Sequence, residues 1–189
     1  MPIPRLDRER AALLVIDLQE RLMPTILAGD AIVRHAGILL RIAERLQMPV
    51  VLTEQYPKGL GPTVAAIRDA LPQGTACFEK TRFGAGTPEV LDELRRRGRS
   101  QVLLCGIEAH VCVLQTALDL LAAGFVPYLV TDAIGGSQAS QIPMALRRME
   151  SAGAIPTGIL SATYELLADA SDPGFRACLE LAKQVDRGQ

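Results

Sequence analysis

Three side chains at separate points along the chain could together supply a nucleophile, a base and a charge partner: the thiol of Cys112, the carboxylate of Asp17 and the ammonium of Lys80. A thiol attacks a carbonyl carbon as its thiolate, so it needs a base for its proton and a cation to hold the separated charge. Each of the three stands where an apolar run gives way to polar residues. Asp17 follows Ala11-Ala12-Leu13-Leu14-Val15-Ile16, and Lys80 lies in Phe78-Glu79-Lys80-Thr81-Arg82-Phe83-Gly84. Cys112 falls in Ile107-Glu108-Ala109-His110-Val111-Cys112-Val113, past a run that ends at Gly106. Plain readings stand beside these. An aspartate at a strand end can cap a helix or form a turn, an isolated lysine is ordinarily solvated, and cysteine is a common core residue.

Position separates Cys112 from the other thiols. Cys77 and Cys105 lie inside apolar runs and read as core. Cys112 lies where a helix should begin, and unpaired N–H groups and the positive dipole end there favour thiolate. His110 is two residues away, and residues at that spacing on a helix do not face one another. A structural or interface role is the expectation for it.

The elements that must hold these groups follow from hydrophobic spacing. Strands are expected over 11–17, 49–53, 75–79, 101–106, 126–131 and 154–159. Full helices are expected over 30–47, 87–97, 110–123 and 138–152, a shorter one over 62–70, and a helical region over 161–182 broken at Asp172-Pro173-Gly174. The first and fourth strands are apolar at consecutive positions, as strands buried on both faces should be. That predicts an α/β fold, a parallel sheet between two helical layers. Gly29, Gly98, Gly124 and Gly153 are placed to end helices. In such sheets the ligand crevice lies past the carboxyl ends of the strands, where all three groups fall.

With 189 residues, and no repeat or linker composition, the reading is one domain over 1–189. Twenty basic against twenty-one acidic residues give a net charge of −1, so no overall field draws nucleic acid or a membrane surface. The expected partner is a small molecule. No stretch reaches the ~20 apolar residues a bilayer crossing needs, and Met-Pro-Ile-Pro-Arg-Leu-Asp lacks the apolar middle of a signal peptide. A cytoplasmic location is the expectation, with the four irregularly spaced cysteines reduced.

Taken together, Leu13-Leu14-Val15-Ile16-Asp17-Leu18-Gln19, Glu79-Lys80-Thr81-Arg82-Phe83 and Gly106-Ile107-Glu108-Ala109-His110-Val111-Cys112-Val113 resemble the isochorismatase-like cysteine hydrolase superfamily. The continuation Leu114-Gln115-Thr116-Ala117-Leu118-Asp119-Leu120 is most similar to its isochorismatase domain-containing proteins, and Val130-Thr131-Asp132-Ala133 also fits. The resemblance implies a six-stranded parallel sheet in the order 3-2-1-4-5-6. It implies Asp17 as base, Lys80 as charge partner and Cys112 as nucleophile, acting on an amide, imide or carbamoyl compound through a thioester. It further implies a cis peptide at Ile107–Glu108, with the N–H groups of Glu108 and Cys112 meeting the oxyanion. A homo-oligomer is implied as well.

Two departures from the superfamily's patterns narrow this. Nicotinamidases carry an aspartate and two histidines for a metal after the second strand, where this chain reads Thr53-Glu54-Gln55-Tyr56-Pro57-Lys58-Gly59. No metal and no cofactor are therefore expected. Isochorismatases proper lack the cysteine that Cys112 supplies. Gln19, Glu54, Gln55, Tyr56 and Phe83 are placed to line the pocket, and they suit many small polar ligands. Two alternatives stay open from sequence: an oligomeric binding protein that retains the pocket without turnover, and a redox protein using an activated Cys112.

Overall fold

The computed structural model describes residues 5–185. Met1–Pro4, part of the stretch read for a leader, and residues 186–189, included in the single-domain reading, lie outside the described residues.

The sheet grows outward from β1 (Ala11–Ile16), whose six residues are all buried. Ala11, Leu13 and Val15 enter the core on one face, and Ala12, Leu14 and Ile16 the core on the other. Side chains alternate along a strand, so a strand covered on both faces must be apolar at every position. β2 (Val50–Gln55) and β3 (Ala76–Lys80) lie to one side of β1; β4 (Gln101–Gly106), β5 (Val126–Ile134) and β6 (Ile155–Thr157) lie to the other. Every pairing is parallel and the order is β3-β2-β1-β4-β5-β6.

Helix α1 (Gly29–Arg45) buries Ile32, Ala36, Leu39, Leu40 and Ala43, a helical stripe that faces the first core. α7 (Ile159–Leu167) and α8 (Phe175–Ala182) supply residues to the same face. α4 (Pro88–Arg96), α5 (Leu114–Ala122) and α6 (Gln141–Ser151) cover the other. The expected 62–70 helix contracts to α3 (Ala65–Arg68), and a single turn, α2 (Pro57–Leu60), precedes it. Gly98, Gly124 and Gly153 follow helices at positive φ, but Gly29 opens α1 instead of ending a helix. A Cβ there would stand 3.2 Å from the Met23 carbonyl oxygen, so a close turn, not a stop, occupies that position.

The chain order reverses between β1 and β4, and this is the feature that builds the site. Ile16 pairs with Gly106, so the residues just beyond them emerge side by side. Gly106 has φ 121, and a Cβ on it would lie 2.1 Å from the Ile16 carbonyl oxygen. Only glycine combines that conformation with so close an approach.

Candidate functional site

Asp17 leaves β1 at φ 53, a conformation that aspartate tolerates better than most residues, and its side chain is fully buried. Its N–H donates to the Thr53 carbonyl at 3.2 Å, which fixes where the carboxylate stands. Oδ1 accepts from the Thr53 hydroxyl at 2.9 Å, and Oδ2 accepts from Lys80 Nζ at 2.6 Å. Lys80 ends β3 and is 5 % exposed. Its other protons go to Gln55 Oε1 at 2.7 Å and the Phe83 carbonyl at 2.9 Å. A buried ammonium needs all three donors met, and here they are.

Cys112 comes to the same carboxylate from across the β1–β4 reversal. It sits in a single π-helical turn, Ala109–Val113, that leads into α5, and it is 6 % exposed. Its thiol is hydrogen-bonded to Asp17, and the Glu108 backbone N–H reaches the sulfur. Burial, followed by the negative charge of Asp17, pushes the thiol up to about 12, against the pull of Lys80. This corrects the expectation that a helix start favours thiolate at rest. Desolvation and the carboxylate outweigh the dipole, so the resting group is a thiol. The Ile107–Glu108 peptide is cis.

The five residues expected to line a pocket divide into two groups. Gln19 is fully buried, its Nε2 donating to the carbonyls of Gln55 and Gly61 while its Oε1 accepts from the Gln55 N–H. Gln55 links Lys80 to the Thr81 carbonyl. Glu54 Oε1 accepts from both the N–H and the hydroxyl of Thr63. These three brace the loops around the cluster. Tyr56 and Phe83, by contrast, are each 53 % exposed. A cavity of about 360 Å³ lined by Tyr56, Pro57, Lys58, Glu79, Lys80 and Thr81 lies beside the cluster, without Asp17 or Cys112 in its wall. Cys77, read as core, is exposed instead because β3 is an edge strand.

Two threonines that sequence reading passed over complete the assembly. Thr53 holds Asp17 as described. Thr116, one turn beyond Cys112, donates to the Cys112 carbonyl at 2.6 Å and accepts from the Ala85 N–H at 2.8 Å. The loop that carries Lys80 is thereby latched to the helix that carries the thiol. Cβ atoms on Gly84 and Gly86 would fall within 2.3 and 2.2 Å of Asp119. The Gly84-Ala85-Gly86 pattern was the available signal that this loop packs tightly on a neighbour.

The isochorismatase domain model matches residues 11–159, and the chain belongs to that family. Isochorismatase domain-containing protein 2A of Mus musculus is 39% identical over 181 residues, 95% of this chain and 86% of its own. A secreted isochorismatase effector of Phytophthora sojae is 37% identical over 95% of this chain and 88% of its own. Among solved structures, one described as the MAR1 ribonuclease of Caenorhabditis elegans is 36% identical with TM-score 0.92, covering 96% of this chain and 93% of that one. Pseudomonas aeruginosa YcaC, solved with covalent acrylamide, is 27% identical with TM-score 0.87 over 98% and 97% of the two chains. The Escherichia coli ycaC product, described as an octameric hydrolase of unknown specificity, is 26% identical with TM-score 0.87 over 96% and 92%.

Proposed function

We propose that this chain, acting as one domain, is a cysteine-dependent hydrolase of a small amide, imide or carbamoyl compound. The observation that carries the reading is a single buried hydrogen-bonded chain from Cys112 through Asp17 to Lys80. Asp17 takes the thiol proton as sulfur bonds to the substrate carbonyl carbon, and the carbonyl π pair moves to oxygen. Lys80 stays charged throughout and stabilises carboxylate and developing thiolate in turn. The N–H groups of Glu108 and Cys112 receive the oxyanion. Collapse breaks the carbon–nitrogen bond, and the leaving nitrogen takes the proton from Asp17. Water then attacks the thioester while Asp17 accepts its proton, which returns to sulfur as the acid leaves.

The acrylamide attached covalently to the Pseudomonas aeruginosa neighbour supports a reactive nucleophile on this fold. The octamer described for the Escherichia coli neighbour supports self-association, and Leu27, Met144, Leu160 and Tyr164 give this chain exposed apolar side chains for such a contact. A cytoplasmic location fits a nucleophile that must stay a reduced thiol. Recovery of the chain from a secreted fraction, as the Phytophthora sojae relative's name describes, would contradict that assignment.

The deciding experiment is a panel of amides, ureas and imides with Cys112→Ala alongside, and an RNA oligonucleotide as a separate arm because the Caenorhabditis elegans neighbour is described as a ribonuclease. Turnover of a carbonyl compound, lost in Cys112→Ala, with an acyl adduct on the Cys112 peptide is expected. RNA cleavage that persists in Cys112→Ala, without hydrolysis of any carbonyl compound, would replace this reading.

A further inference from the structure

The Glu108 side chain is anchored far more firmly than its partial exposure requires. Oε2 accepts from the Ser137 N–H at 2.9 Å and from the Ser137 hydroxyl at 2.8 Å. Two donors from one residue on one carboxylate oxygen form a fixed fork, and both bonds gain from the charge. His110 Nε2 stands 3.6 Å from the same oxygen, too long for a hydrogen bond, so Ser137 is the residue that holds the carboxylate.

The fork joins two segments that the backbone already ties together. The Ala109 N–H donates to the Gly135 carbonyl at 2.8 Å, and the Gly135 N–H donates to the Gly106 carbonyl at 3.1 Å. The loop after β5 therefore clasps the turn between β4 and the π-helical segment on both sides of Glu108. The Glu108 carbonyl accepts from the N–H groups of Val111 and Val113, which flank Cys112, at 3.1 Å each, and the Glu108 N–H lies on the side of the Cys112 sulfur, where it lowers the thiol's pKa. Hydrogen-bond strength falls steeply with misalignment, so a small rotation at Glu108 would remove that donor.

We propose that Ser137 and the Glu108 carboxylate are positioning residues for Cys112: the fork locks Glu108 so that its backbone N–H faces the sulfur at rest and is in place for the oxyanion once attack begins. Ser137 lies in the loop after β5, hydrogen-bonds to the Glu108 carboxylate and acts only through Glu108. The proposal rests on Cys112 as the nucleophile, but its test needs no substrate.

The test is alkylation of the full chain by iodoacetamide across a pH series, read at the Cys112 peptide by mass spectrometry. Ser137→Ala removes the hydroxyl, and Glu108→Gln removes the charge that strengthens both bonds. Each should slow Cys112 labelling by about threefold to tenfold at fixed pH and displace its profile to higher pH, while melting stays cooperative. Ser137→Thr keeps the hydroxyl and should restore the parental rate. Parental rates and profiles in both Ser137→Ala and Glu108→Gln would overturn the proposal, as would Ser137→Thr slowing labelling as much as Ser137→Ala. Should Ser137→Ala fail to fold cooperatively, Glu108→Gln decides alone. Failure of the hydrolase reading has a different signature, turnover that survives Cys112→Ala, and leaves this labelling series unaffected.

Discussion

Lys80 Nζ stands 2.6 Å from Asp17 Oδ2, with 2 % of the lysine side chain and none of the aspartate side chain exposed. A pair so deeply removed from water is costly to break from either side, because the remaining charge is stranded.

Lys80→Met and Asp17→Asn should therefore each lose about 3–5 kcal/mol of stability in urea titrations. If Lys80 is the charge partner and Asp17 the base, as proposed, turnover should fall by about 10² or more in each. The double variant separates the two effects. With no unpaired charge left, it should regain part of the stability while turnover stays near that of the worse single variant. Stability and turnover that both fall additively would show that the two residues act independently.

Gly106→Ala should be among the most damaging single substitutions. The new Cβ would meet the Ile16 carbonyl oxygen at 2.1 Å, and φ 121 is unsuited to any L side chain. A loss of about 3 kcal/mol or more, or failure to fold, is expected in thermal melts. A loss below about 1 kcal/mol would mean that β1 and β4 can separate at no cost to the sheet, contrary to the close approach described here.

The sheet and the placement of Asp17, Lys80 and Cys112 around its carboxyl edge were legible because each is written in a local pattern. β1 is apolar at every position since both its faces are covered, and Asp17 follows it directly, Lys80 closes β3, and Cys112 lies in the turn after β4. What stayed hidden depends on direction and distance. Gln19 and Gln55 stand past strand ends like pocket residues, yet their amides turn inward to the backbone. Cys77 shares a strand with apolar neighbours, but an edge strand exposes it. The protonation of Cys112 depends on burial and on a carboxylate from a distant part of the sequence, which no spacing rule records. β5 was expected over 126–131 and runs on to Ile134, because pairing with β4 carries it past the polar Thr131 and Asp132.

The buried thiols should weaken the fold in alkali. Burial pushes Cys105 up to about 12, from an ordinary value near 9. A raised pKa means that the folded chain holds its proton where the unfolded chain has released it. The stabilising contribution is complete below about pH 9 and is lost as pH climbs toward about 12. Cys105→Ala should be less stable at pH 7 from the lost packing, yet lose stability less steeply between pH 9 and 11, by about one proton in the slope of unfolding free energy. Equal slopes for the two proteins would show that Cys105 does not titrate in that window.

Competition between Cys77 and Cys112 for alkylating reagents tests the role of Asp17 without knowledge of the substrate. Cys77 is exposed at the surface, yet its partly enclosed sulfur is pushed up to about 11 by desolvation and by Glu54 and Glu79, whereas Cys112 is 6 % exposed and pushed up to about 12. Accessibility and acidity alone would send every reagent to Cys77 first. Cys112, however, holds a hydrogen bond to Asp17, so it can surrender its proton during attack without first standing as free thiolate. A large anionic disulfide reagent should therefore label Cys77, while small, neutral iodoacetamide at pH 7 should label Cys112 faster. Asp17→Asn should reverse only the second preference, because it leaves the surroundings of Cys77 untouched and removes the base beside Cys112. Peptide mass spectrometry after a brief pulse reads both sites in one sample. If iodoacetamide favours Cys77 in the parent chain, or if Asp17→Asn leaves the preference for Cys112 intact in a folded protein, Asp17 is not the base for this thiol.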